Sequence, residues 1–210
     1  MSKSHETGLS DYGKTEKTLR KLLMHCSLEF WNMRGELADL WDSSGKTSLN
    51  LQYLKADAYV ESLPPKSKPM IKMLVYLGLV ESLGTTFIDM ALMLLIANGK
   101  EMHTRGPYIK HVTSLKELRK LDLAYKLYFL KSHGLPLFQK IVNRELRNDI
   151  AHLKFKIDDE GAIRDSKGSL VDIDNVIQTF WKTILDIQSI FDTIGFTKWL
   201  SQGKKGVGHE

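Results

Sequence analysis

The sequence predicts an all-α protein, a bundle of five to six helices with a small β-hairpin near its carboxyl end. Apolar residues recur at helical spacing through most of the 210-residue chain, and glycine and proline separate the helical stretches. With 42% hydrophobic and 26% charged residues, the composition is that of a globular protein. A chain of this length can bury a core without disulfides or structural metal.

Four helices are predicted in the first two thirds of the chain. They are Thr15–Trp41, Leu49–Leu63, Pro69–Ala97 and Ser114–Lys131. Asn98 and Gly99 end the third of these helices, and the fourth has a capping box if Ser114 is its cap and Glu117 completes it. The third is apolar nearly all round, which predicts a central, buried position.

The remaining elements are a fifth helix, a hairpin and a last helix. Pro136 opens the fifth helix, which runs from Leu137 to about Leu153. The alternating stretch Lys154–Ile157 and the residues Ala162–Arg164 predict a hairpin across an acidic turn. Asp172 or Asp174 caps the last helix, which continues to about Ile194 and ends at Gly195.

These patterns divide the chain into four segments. We predict a disordered N-terminus over residues 1–14, an N-terminal helical segment over 15–63, a main helical domain over 64–200 and a flexible tail over 201–210.

Composition also limits the compartment and the partners. Cys26 is the single cysteine, so the chain forms no internal disulfide, and a reducing cytoplasm is the expected location. Lys72, Glu81 and Asp89 interrupt the apolar stretch Met70–Ala97, which favours a buried helix over a membrane span. Whether Glu81 and Asp89 pair with arginines or face a dimer cleft is left open. A net charge of +5 permits an anionic partner such as RNA.

The stretch from Arg144 to His152 carries the most chemical information. On the fifth helix an apolar stripe is predicted to face the core. Its members are Phe138, Val142, Leu146, Ile150 and Leu153. Arg144, Arg147, Asn148 and His152 then lie away from the core. Asn148 and His152 are four residues apart and share one helix face, whereas Arg147 and His152 are about 140° apart around the helix.

These residue types suit the cleavage of RNA without a metal ion. The RNA supplies its own nucleophile, the 2′-hydroxyl, so a protein needs only to move protons and to stabilise charge. His152 suits proton transfer near neutral pH, and Arg147 suits a phosphate. We predict no metal site and no cofactor. The separation of His103 and His111 is unlike that of known zinc ligands, and no carboxylate or cysteine cluster completes it.

The run Leu146-Arg147-Asn148-Asp149-Ile150-Ala151-His152 resembles the motif of the HEPN superfamily. That motif is an arginine, a polar residue and then a histidine after four to six intervening residues. The preceding amphipathic helix, the following hairpin and the long final helix resemble the family too, so that the resemblance covers about residues 70–194 within an HEPN-like domain at 64–200. Some toxin members have a tyrosine two residues after the histidine. In this chain Lys154 occupies the position two residues after His152, which disfavours membership of the tyrosine-containing toxin subgroup.

The resemblance implies a function and a mechanism. HEPN proteins are helical bundles that dimerise so that two motif helices form a composite RNA cleft, and cleaving members leave a 2′,3′-cyclic phosphate without using a metal. By this resemblance Arg147 contacts the scissile phosphate, Asn148 fills the polar position and His152 assists proton transfer. It implies a homodimeric endoribonuclease, and such proteins are often toxins or antiviral effectors. It also allows a cognate antitoxin or inhibitor protein as a partner.

Other basic residues have two readings. Arg144 and a set on the fourth helix are candidates to flank an RNA cleft. That set is Lys116, Arg119, Lys120, Lys126 and Lys131. A solvated basic face is the alternative for this set. Two alternatives to the nuclease also stay open: a non-catalytic HEPN module that binds RNA, nucleotide or a partner protein, and a helical scaffold without a ligand.

Overall fold

A computed structural model describes residues 3–26, 35–45, 62–104 and 110–202 of the chain. It is predominantly helical and carries a small three-stranded antiparallel sheet. The predicted second helix, Leu49–Leu63, lies almost wholly outside the described residues, as does most of the predicted flexible tail.

The helices of the described residues are numbered along the chain. They are α1 (Lys3–Met24), α2 (35–45), α3 (Ser67–Leu79), α4 (Thr85–Ala97), α5 (Leu115–Leu118), α6 (Leu123–Ser132), α7 (Arg144–Ala151), α8 (Ile173–Thr193) and α9 (Phe196–Gln202). A π-helical turn, Val80–Gly84, joins α3 to α4, and a 3₁₀ helix, Pro136–Lys140, precedes α7. The described helices are therefore more numerous and shorter than the five to six predicted.

The first helix begins and ends earlier than the sequence predicts. It begins at Lys3, inside the segment 1–14 for which we predict disorder, and ends at Met24 rather than continuing to Trp41. No proline interrupts Lys3–Met24, so the backbone can stay helical through its polar first half. The predicted N-terminal segment, residues 15–63, includes 27–34 and 46–61, which lie outside the described residues, and it stays a prediction.

Two predicted helices are each broken in two. The predicted helix Ser114–Lys131 stops after Leu118 and restarts at Leu123, because the Oδ1 of Asp122 accepts the Ala124 N–H at 2.5 Å and caps a new helix. The predicted helix Leu137–Leu153 becomes the 3₁₀ helix and α7. Its break lies at Asn143, whose backbone is extended (φ −76°, ψ 95°).

The sheet has one strand more than the predicted hairpin. Its strands are β1 (Lys156–Ile157), β2 (Ile163–Arg164) and β3 (Leu170–Val171), in that spatial order. Ile163 is buried and pairs with Ile157 on one side and Val171 on the other. β1 and β2 are equally short, but the alternating stretch Lys154–Ile157 and the acidic turn mark them in the sequence, whereas no such alternation marks Leu170–Val171.

The run Ser67–Ala97 is long and apolar enough to cross a membrane by length and composition. Of its most apolar window, 72% is buried inside the protein, as expected of a core helix. This agrees with the burial predicted for Met70–Ala97. The helix ends where predicted: Gly99 has φ +73°, and the Lys100 N–H donates to the Leu95 carbonyl at 3.0 Å.

The chain forms two compact units. The first comprises Met1–Ser43, Thr86–Gln139 and Leu185–Glu210, and the second Ser44–Thr85 and Lys140–Ile184. In the first unit Trp41 packs against three aromatic rings with centroid distances of 5.4–6.3 Å. They belong to Phe87, Phe191 and Phe196. In the second unit the rings of Tyr76 and Phe180 meet edge to face at 6.4 Å.

Candidate functional site

The motif residues lie on the short helix α7, in the second unit. The helix begins at Asn143, whose side-chain oxygen accepts the Leu146 N–H at 3.1 Å and so satisfies a free donor of the first turn. Leu146 and Ile150, each 3% exposed, anchor one face of α7 in the core. The opposite face carries Arg147, Asn148 and, at the end of the helix, His152.

The start of α7 is fixed by a tyrosine on α3. The Asn143 N–H donates to the Tyr76 hydroxyl at 2.9 Å. Tyr76 is 1% exposed, and burial raises the pKa of its phenol, while the hydrogen bond from Asn143 lowers it. The buried hydroxyl thus satisfies the backbone N–H of the residue that caps α7.

The end of α7 differs from the prediction. The Lys154 N–H donates to the Asp149 carbonyl at 2.8 Å and the Leu153 N–H to the Ile150 carbonyl at 3.2 Å, a Schellman ending. Leu153 takes the left-handed position of that motif with φ +53°. Its side chain is therefore 77% exposed, and its predicted place in the buried stripe was wrong.

The guanidinium of Arg147 is held by two groups. Its Nε donates to the Glu81 Oε1 at 2.6 Å, and its Nη2 lies 2.5 Å from the same oxygen. Its Nη1 donates to the Asn148 Oδ1 at 3.2 Å. The side chain of Arg147 is 28% exposed, so these contacts fix a partly buried cation at the protein surface.

Glu81 contacts the candidate site, and the sequence leaves its role open. Its charge on an otherwise apolar helix was visible, but its partner lies 66 residues away along the chain. Glu81 lies on the π-helical turn Val80–Gly84. Such turns are rare and occur frequently at functional sites.

His152 is the C-cap residue of α7 and is exposed. Its backbone N–H donates to the Asn148 carbonyl at 3.0 Å. In the described part of the chain, no hydrogen bond joins the side chain of His152 to that of Arg147. The structure thus brings Arg147 and Asn148 into contact and leaves the imidazole of His152 facing solvent one turn further along.

Asp149, between these residues, has a structural role. It is 8% exposed, and its Oδ2 accepts the backbone N–H of Ser166 at 2.9 Å. Hydrogen bonds from Ser166 lower the pKa of this carboxyl, and the charges of Lys154 and Lys167 lower it further. Asp149 thereby ties α7 to the turn between β2 and β3.

The other predicted RNA-binding residues are divided between the two units. Arg144 is exposed on the first turn of α7. Lys116, Arg119 and Lys120 are exposed in the first unit, on and just after α5. Lys126 was wrongly grouped with them. It is 5% exposed because its Nζ binds the Oδ1 of the buried Asp89 at 2.7 Å.

No protein-family model, curated protein or solved structure matches the chain.

The arrangement on α7 can bind an anion and exchange a proton. A fixed guanidinium with donors still available recognises a phosphate, and an exposed imidazole has ring nitrogens that can donate or accept a hydrogen bond. The Asn148 carboxamide oxygen is engaged by Arg147, which leaves its NH₂ group able to donate to a phosphate oxygen.

Proposed function

We propose that the chain is a metal-independent endoribonuclease of the HEPN type. The observation that carries this proposal is the face of α7. On it Arg147 is pre-positioned by Glu81 and Asn148, while His152 is exposed one turn away. A guanidinium whose direction is already fixed loses less side-chain entropy when it binds a phosphate.

In the proposed reaction the 2′-oxygen of a ribose attacks the adjacent phosphorus. The bond from phosphorus to the 5′-oxygen of the next nucleotide breaks, which gives a 2′,3′-cyclic phosphate and a 5′-hydroxyl. The 2′-hydroxyl loses a proton and the 5′-oxygen gains one, and His152 serves one of these transfers. Arg147 stabilises the negative charge that grows on the phosphoryl oxygens.

We place this chemistry in a homodimer. Within one copy, the guanidinium of Arg147 on α7 and the imidazole of His152 at its end form no hydrogen bond with each other. Two copies of α7 facing one another would supply two histidines, one for each proton transfer. Arg144, exposed at the start of the same helix, would then line the cleft. In this proposal the enzyme acts in the cytoplasm as a toxin or antiviral effector, and an antitoxin would bind over the cleft.

One observation favours a second function, a non-catalytic module that binds RNA, nucleotide or a partner protein. Arg147 already donates Nε to Glu81 and Nη1 to Asn148, and its Nη2 lies 2.5 Å from the Glu81 Oε1, so fewer donors remain for a transition state. Binding to a phosphate backbone needs only the positive charge of Arg147 and the donors that remain on it.

Cleavage of a mixed RNA substrate in excess EDTA distinguishes the two functions. We expect the wild type to leave cyclic-phosphate ends and both Arg147→Ala and His152→Ala to lose them. Arg164→Ala and His25→Ala, which remove an exposed arginine and an exposed histidine elsewhere, are the matched controls. No cleavage by the wild type over a broad RNA panel would favour the binding module. Cleavage unchanged in both motif variants would place the site elsewhere.

A further inference from the structure

His103 and His111 face each other across an antiparallel β-bridge in the first unit. The bridge is flanked by two backbone hydrogen bonds, Thr104 N–H to Lys110 C=O at 2.9 Å and Val112 N–H to Met102 C=O at 2.8 Å. These bonds lie on either side of the histidines, which makes them a non-hydrogen-bonded pair, the closer of the two antiparallel pairings. Their ring centroids are 4.5 Å apart.

The register of this bridge is held from its opposite face. Met102 and Val112 are 1% and 2% exposed, so both side chains are anchored in the core. Because side chains alternate along extended chain, His103 and His111 are directed to the outer face. Glu101 is two residues before His103 and is therefore directed to that face as well.

These three side chains converge. One ligand atom from each of Glu101, His103 and His111 lies within 4.8 Å of the other two. Ligand atoms around a tetrahedral zinc ion are on the order of 3.4 Å apart, from bond lengths of about 2.0–2.2 Å. Small side-chain rotations at these exposed or half-buried positions are enough to close that difference.

We propose that Glu101, His103 and His111 form a binding site for a divalent transition-metal ion, with Zn²⁺ the expected occupant. Two imidazoles and one carboxylate suit zinc and its neighbours rather than Mg²⁺ or Ca²⁺, which prefer oxygen ligands. Three protein ligands leave a fourth position for water or another group. The sequence spacing predicted no metal site here, and the β-bridge supplies the proximity that the spacing lacks.

This site is independent of the proposed nuclease, whose catalytic candidates Arg147, Asn148 and His152 lie in the other unit. Occupancy is measured on the untagged full chain by calorimetric titration with Zn²⁺ and by the visible absorption of bound Co²⁺. We expect one ion per wild-type chain and an affinity at least about ten-fold weaker in each of His103→Gln, His111→Gln and Glu101→Gln. His25→Gln, an exposed histidine on another element, is the control and should bind as the wild type does.

Circular dichroism of each variant confirms that it is folded. A complementary measurement is the melting temperature, which Zn²⁺ should raise in the wild type and in His25→Gln but not in His111→Gln. The proposal is overturned if the wild type binds no Zn²⁺. It is equally overturned if folded His103→Gln and His111→Gln bind Zn²⁺ as tightly as the wild type.

Discussion

Arg147 and Glu81 form an ion pair in which Nε donates to Oε1 at 2.6 Å. The pair joins the motif helix α7 to a π-helical turn that lies 66 residues earlier in the chain. The glutamate side chain is 44% exposed, so the pair contributes about 1 kcal/mol or less to folding. Its main effect is on the direction of the guanidinium.

The first prediction concerns this pair and rests on the proposed nuclease. Glu81→Ala should lower kcat for RNA cleavage about 10- to 100-fold and change KM less, because Arg147 loses the partner that orients it. Steady-state cleavage of a short RNA measures both constants. Glu160→Ala removes the same charge from an exposed turn and should have no such effect. Faster cleavage by Glu81→Ala would mean that Glu81 restrains Arg147 rather than positioning it.

A second prediction concerns the buried pair of Lys126 and Asp89. Burial raises the pKa of the Asp89 carboxyl, and the nearby Lys126 lowers it. Lys126→Met removes the closest partner of this carboxylate and leaves only the Arg119 Nε, which is 3.9 Å away. The change should therefore lower the unfolding free energy by about 3–5 kcal/mol. Urea denaturation measures this cost. The double variant Lys126→Met/Asp89→Leu should recover most of the loss, whereas a single-variant cost below about 1 kcal/mol would contradict a buried pair.

Asp149 gives a third prediction, on pH. Hydrogen bonds from Ser166 lower the pKa of Asp149 in the folded protein, so the folded state holds its proton less tightly than the unfolded chain does. The stabilisation that ionised Asp149 contributes is therefore complete above its pKa in the unfolded chain, about 3.9, and is lost as the pH falls through its lower pKa in the folded protein. The difference in unfolding free energy between wild type and Asp149→Asn should be largest near neutral pH and shrink below about pH 4.

Urea denaturation at a series of pH values tests this. Asp192→Asn, an exposed residue on α8, makes the same change of charge and serves as the control. A difference that instead grew toward acid pH would show that the Ser166 hydrogen bond does not favour the charged form.

The fourth prediction concerns the backbone of Leu153, whose φ of +53° is costly for a residue with a Cβ. Leu153→Gly should raise the unfolding free energy by about 0.5–1 kcal/mol, because relief of strain exceeds the added entropy of the unfolded chain. The leucine is 77% exposed, so little apolar burial is lost. Leu170→Gly, in β3 and 67% exposed, should destabilise instead. Equal destabilisation by both changes would rule out strain at residue 153.

Local signals predicted a large part of the helical framework. The last helix occupies Ile173–Thr193, Asp172 accepts the Asn175 N–H at its start, and Gly195 follows its end with φ +76°. The Ser114 hydroxyl accepts the Glu117 N–H as predicted, and the Glu117 carboxylate also accepts the Thr113 N–H. These features depend on residues a few positions apart, which a sequence displays directly.

Contacts between distant residues could not be predicted in this way. The break before α7 depends on Tyr76, 67 residues away, and the proximity of Glu101 to His111 depends on the register of a bridge. The exposure of Leu153 follows from the Schellman ending, which periodicity alone does not reveal. The roles of Arg147, Asn148 and His152 in RNA cleavage stay predictions.

The hydrogen bond between Tyr76 and Asn143 has a consequence for how related sequences should vary. Its donor is a backbone N–H, so position 143 can exchange among asparagine, aspartate, serine and threonine, all good N-cap residues, without loss of the bond. Proline alone lacks the donor. Position 76 has no such freedom, since phenylalanine would fill the space but leave the N–H without its acceptor. Tyrosine at 76 should therefore persist among relatives in which residue 143 changes.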